Sequence, residues 1–173
     1  MRKILLLVWL VLFVCRPAAA NPVTIEGVGQ VELGQGILVT EGHNKKGEIN
    51  YGFKVKDGAV WRGATLLPIT SFSSNGTENM IKLDVFLDKI IDEKVRNSEN
   101  ILAAEKARKV ILGGKECATT SIKMEIPGGG IVANMEMIII PGADGLKMFG
   151  FMCSDSDAQY WRPIMLKIAA SIL

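Results

Sequence analysis

The sequence predicts an α+β fold, in which a three-stranded antiparallel meander near the C-terminus is closed by an amphipathic helix. Three observations carry this. Residues 116–153 form three apolar-rich alternating runs, separated by Pro127–Gly130 and Pro141–Gly145; loops of this length containing Gly join antiparallel neighbours. Apolar residues recur at helical spacing in two stretches, Met80 to Val95 and Trp161 to Ile172. No Pro/Gly/Ser-rich linker, repeat or low-complexity tract divides the chain after its first twenty residues.

Those first twenty residues read as a signal peptide. Arg2 and Lys3 give a positive start, and Ile4 to Val14 form an apolar run of eleven residues. A membrane-spanning helix needs roughly 20. Pro17 and Ala18-Ala19-Ala20 then supply a breaker and an A-x-A cleavage site. A lipoprotein signal acylated at Cys15 would want a small residue before the cysteine, and Val14 stands there. The expected organisation is a signal peptide over residues 1–20 and one α+β domain over 21–173. That domain would be periplasmic or extracellular, with no transmembrane anchor after cleavage. The chain carries 20 Lys and Arg against 18 Asp and Glu; loss of Arg2, Lys3 and Arg16 leaves 17 against 18. A near-neutral domain without a basic stripe has no electrostatic footprint for nucleic acid or anionic lipid.

Along the mature chain, Asn21–Gly42 reads as two short strands punctuated by Gly27, Gly29, Gly34 and Gly36. "INYGFKVKDGAVWRGATLLP" is a hairpin turning at Asp57-Gly58, a pair suited to a type I′ turn, and Pro68 stops its second strand. The first helix runs through Met80, Leu83, Leu87, Ile90, Ile91 and Val95, with Thr77 as its N-cap. The sequon Asn75-Gly76-Thr77 reads as turn and cap. Residues Ile101–Lys109 carry both helical and strand signals; only Val110-Ile111-Leu112 is predicted as a strand. The meander comprises Glu116–Ile126, Ile131–Ile140 and Leu146–Cys153. Pro163 places the start of the regular closing helix near itself, after a looser Ser156–Tyr160 turn.

Two mature cysteines in an exported chain first suggest a disulfide. Pairing Ile126 with Ile131 and Ile140 with Leu146 sets Cys117 opposite Ile140 and Cys153 opposite Ala133. The two then lie seven residues apart, on the order of 20 Å, and on opposite faces. One face gathers Ala118, Ile122, Met124, Met135, Met137 and Ile139 with Phe149, Phe151 and Cys153. The other gathers Cys117, Thr119, Glu136, Ile138 and Ile140 with Leu146, Met148 and Met152. No Cys117–Cys153 disulfide is expected, because a bridge needs Cα atoms within roughly 7 Å. The first face, with its Phe and Met side chains, is predicted to pack under the closing helix against Trp161, Ile164 and Ile168.

No catalytic residue is predicted. Cys153 reads as a small hydrophobe. His43, in "EGHNKKGE", is the chain's one histidine; it reads as a solvated loop residue rather than a partner for Cys153. Two cysteines and one histidine make no usual zinc site, and the mature methionines (Met80, Met124, Met135, Met137, Met148, Met152, Met165) read as core fillers. Ser154–Asp157 lacks calcium-loop spacing and reads as helix capping. Gly128–Gly130 is not followed by the Lys and Ser/Thr of a phosphate loop. Carboxylates such as Glu136 and Asp84 show no pairing for acid–base work. No metal or cofactor is implied.

The meander, the acidic "CSDSDAQYW" turn, the closing helix ending "IAASIL" and the "LGGKECATTSIKM" stretch together resemble the PsbP-like superfamily, over Ile81 to Leu173. That superfamily includes a photosystem II extrinsic subunit, a Ran-binding import factor and exported bacterial proteins. The resemblance implies an α/β/α sandwich with a central antiparallel sheet, and no site residues. With no catalytic constellation in view, the expected role is that of an exported cell-envelope accessory or binding protein without catalytic activity. Its partner would be an envelope protein or a small ligand. The alternative is an envelope hydrolase using carboxylates that sequence alone does not pair.

Overall fold

A computed structural model of the chain describes residues 22–73, 82–95, 98–128, 130–142 and 145–172. The predicted signal peptide and the Thr77 cap lie outside the described residues. A small antiparallel pair, β1 (Pro22–Ile25) and β2 (Gly29–Glu32), precedes the main sheet. The main sheet contains β3 (Leu38–His43), β4 (Ile49–Asp57), β5 (Val60–Leu66), β6 (Thr70–Ser73), β7 (Ile101–Ala104), β8 (Arg108–Leu112), β9 (Lys115–Ile126), β10 (Ile131–Gly142) and β11 (Gly145–Ser154). Its path is β3-β4-β5-β11-β10-β9-β7, with β6 on β11 and β8 on β9, and every pairing is antiparallel. Helix α1 (Leu83–Lys94) packs on one face and α2 (Ala158–Ala170) on the other. The architecture is an α/β/α sandwich around an antiparallel sheet.

The layers follow from alternation. On one face Phe53, Leu66, Ile138, Ile140, Phe149 and Phe151 meet Trp161, Met165 and Ile168 of α2. On the other, Ala118, Ile122, Met137, Ile139 and Leu146 meet Leu83, Leu87 and Ile91 of α1. The β1–β2 pair closes the α2 side with Ile25 and Val31.

Several expectations are corrected. The first meander hairpin pairs Ile126 with Ile131 as expected, but the second pairs Ile140 with Lys147, not Leu146, and Cys153 with Asn134, not Ala133. A slip of one residue turns a whole strand over. Phe149, Phe151 and Cys153 therefore share a layer with Cys117 under α2, while Met135 and Met137 lie under α1 with Leu146 and Met148. The cause is a tighter connection than Pro141 suggested. The strands run on until Gly142 faces Gly145, whose φ of +130° favours glycine. Pro141 is tolerated because the β9 ladder ends at the Ile139–Ala118 pair, which leaves β10 with one neighbour there.

The residues from Ile101 form two strands, β7 and β8, both on β9. The N-terminal region makes three strands rather than two. In the β4–β5 hairpin Asp57 pairs with Val60, so the loop is Gly58-Ala59; only Gly58 has positive φ, which rules out type I′. Pro163 lies inside α2, which begins five residues earlier at Ala158 after a 3-10 turn over Asp155–Asp157. Its ring removes the amide that would bond Gln159, and apolar packing of Trp161, Met165 and Ile168 holds the helix despite that loss.

Candidate ligand cleft

Cys153 and Cys117 are both free and buried on the α2 side. Along β10 they stand six residues apart, about 20 Å, too far for a bridge. Burial raises both thiol pKa values. That of Cys153 is pushed to about 11, chiefly by desolvation and then by Asp157, Asp155 and Glu136. A nucleophilic cysteine needs the opposite shift. His43 is exposed as expected, although it ends β3 rather than lying in a loop. Three inter-strand steps and four residues along β3 separate it from Cys153, about 20 Å.

The acidic run does not cap the helix, since neither Ser154 nor Asp157 makes a side-chain cap bond. It anchors instead. Asp157 accepts a 2.6 Å bond from Arg62 on β5, and Asp155 lies 3.0 Å from Lys123 on β9. Glu136 is 3% exposed and engaged at both oxygens, with Thr119 donating to Oε1 and Arg162 holding both. Asp84, on α1, belongs to the opposite face of the sheet, so these two carboxylates form no acid–base pair. Gly128 and Gly130 serve the β9–β10 turn with positive φ. Among the described residues no three His, Cys, Asp or Glu side chains converge as a metal site.

The site that sequence reasoning missed is a cleft of about 690 Å³ where the sheet splits. The β4–β5 ladder stops at Tyr51 and Leu66. The Leu67 amide then donates to the Gly150 carbonyl at 2.8 Å, and Pro68 turns the chain before β6 resumes on Gly145–Met148 of β11. Gly150 lets the strap lie close, since a Cβ there would stand 3.2 Å from Leu67 Cδ1. The floor and walls bring Tyr51, Leu66 and Ile69 together with Thr70, Ser71 and Lys147. Glu26, Glu48 and Ile49 complete the rim. The Tyr51 hydroxyl accepts the Glu26 amide at 3.0 Å, which fixes the β1–β2 turn over one end. In the sequence the only sign of this cleft was Pro68, read as the stop of a strand.

An α/β/α sandwich with this strand order and an antiparallel meander closed by a helix defines a PsbP-like fold. Among solved structures, the chain is similar to cyanobacterial PsbP (CyanoP) from Synechocystis sp. PCC 6803, with a TM-score of 0.50 and 12% identity over 89% of this chain and 91% of that one. It also matches LpqN, involved in cell envelope biogenesis of Mycobacterium tuberculosis, with a TM-score of 0.42 and 10% identity over 79% of this chain and 87% of that one. No protein-family profile and no curated protein sequence matches the chain. The likeness to CyanoP, at 12% identity, shows the fold alone.

Proposed function

We propose that this chain is an exported cell-envelope accessory or binding protein without catalytic activity, and that the cleft between β4 and β6 seats its partner or ligand. The cleft itself carries the reading: a mixed polar and apolar concavity at the split of the sheet, of the size that ligand sites use. The engaged state of Glu136 and the raised thiol pKa values of Cys117 and Cys153 support a non-catalytic role. The A-x-A leader supports export, and no helix among the described residues is long and apolar enough to cross a membrane.

The test uses the mature protein, residues 21–173, in two assays. Chromogenic esters, phosphates, glycosides and peptides should show no turnover above buffer. Cross-linking in the organism's own envelope fraction should capture a partner that an Ile49→Asp variant loses. Turnover abolished by Glu26→Gln or Glu48→Gln would replace this reading with an envelope hydrolase.

A further inference from the structure

We propose that the cleft takes an extended peptide segment by strand addition to β6, with an acidic side chain of that segment set against Lys147. The inference rests on the reading of the cleft as a binding seat and names the class of partner it fits.

Backbone edges carry the argument. β4 outruns β5 by two residues: Ile49 and Asn50 still pair with His43 and Gly42 of β3, but the β5 ladder has already ended at Leu66. Across the cleft, β6 pairs through Thr70–Ser73 with β11 and with no other strand among the described residues. Ile49 on one side and Thr70 and Ser71 on the other line the same cavity. β6 follows β5 along the same edge of β11, so its outer edge, beyond the end of β4, is left without a partner strand and borders the cleft. In an antiparallel strand alternate residues direct their amide and carbonyl outward, and an exposed edge of this kind is a template for another chain. A peptide supplies donors and acceptors at the matching spacing. The four residues of β6 span about 13 Å, so four or five peptide residues would fill it.

Charge narrows the partner. Lys147 is half-buried in the cleft, opposite Ser71 in the β6–β11 register. No ion pair or side-chain hydrogen bond engages its ammonium among the described residues, whereas Lys109, Lys123 and Lys167 all have partners. A partly buried ammonium without a protein partner is an attractive seat for an incoming carboxylate. A peptide can bring one carboxylate to Lys147 and present neutral residues to Glu26 and Glu48 on the rim, whereas a nucleic-acid backbone carries a phosphate at every step.

The experiment selects random seven-residue peptides on immobilised mature protein, then measures the enriched peptide in solution by fluorescence anisotropy. Three results are expected. Enriched peptides share Asp or Glu at one position. N-methylation at alternate residues weakens binding about tenfold, with little change at the residues between, since only alternate amides reach the edge. Lys147→Glu weakens binding about tenfold and is rescued by a peptide carrying Lys in place of the acid. Thermal denaturation checks that the variant stays folded, since the side chain it alters is partly in solvent.

Uniform or absent sensitivity to N-methylation would overturn strand addition, and so would indifference to Lys147→Glu. If no peptide is enriched while the Ile49→Asp-sensitive capture persists, strand addition fails and the binding-protein reading stands. If capture fails as well, both fall.

Discussion

Arg162 on α2 clamps Glu136 on β10 through both carboxylate oxygens, with Nε 3.0 Å from Oε2 and Nη2 3.1 Å from Oε1. Thr119 adds a third bond, at 3.0 Å to Oε1. The cluster sits inside an otherwise apolar layer and fixes the approach of α2 to the sheet. Arg162→Ala should leave Glu136 charged, buried and short of partners. Breaking a fully buried pair costs roughly 3–5 kcal/mol; Arg162 keeps 44% of its side chain in solvent, so a loss of about 2 kcal/mol is expected. Urea denaturation measures it. A Glu136→Leu/Arg162→Leu double variant should recover most of the loss, because no charge is then stranded.

The thiols give a pH prediction. Burial raises the Cys153 pKa from 9.0 to about 11, so the folded state favours the neutral thiol. Its contribution to stability is therefore fully present below pH 9 and is lost as pH rises from there towards 11. At 1.36 kcal/mol per unit, that loss is about 2–3 kcal/mol. Chemical denaturation between pH 8 and 11 should show the decline, and Cys153→Ala should flatten it. In native protein at pH 8 both thiols should resist an aromatic disulfide reagent, and after denaturation two should react.

Phe151 and Met137 test the layer assignment. Phe151 is 1% exposed beneath α2, and Met137 is 8% exposed beneath α1. Phe151→Ala should cost about 3–5 kcal/mol and Met137→Ala about 2–5. Because the sheet separates the two side chains, the double variant should lose the sum within about 0.5 kcal/mol. Strong coupling would return both residues to one layer.

The proposed export through an A-x-A leader predicts a mature N-terminus at Asn21. Intact-mass measurement of the exported protein should give residues 21–173 without modification. A lipid on Cys15 would instead make it a lipoprotein.

Element types were more legible than their relations. Alternation from Glu116 to Cys153 and helical spacing around Leu87 and Ile168 were enough for the meander and both helices, while the sandwich was implied by the resemblance to the PsbP-like superfamily. What alternation does not encode is the length of the turn after Ile140, and Pro141 pointed to an earlier stop than the edge position of β10 requires. Ile101–Ala104 carries Ala-rich composition yet forms a strand, because pairing with β9 overrides propensity. Asp155 and Asp157 looked like caps because their cations, Lys123 and Arg62, are distant in sequence. The cleft was the least legible feature. It arises from ladders that end, and the end of a pairing leaves no mark on the residues except, here, at Pro68.

The turn between Gly142 and Gly145 acts on the rest of the chain as a parity bit. Loops ordinarily absorb insertions of any size at small entropic expense. One residue drawn from the loop into the β10–β11 pairing would exchange inside for outside along β11, sending Phe149 and Phe151 towards α1 and Met148 towards α2. Two would restore the original sides. An odd insertion is therefore harmless where the loop keeps it, and needs a compensating bulge where the ladder takes it up.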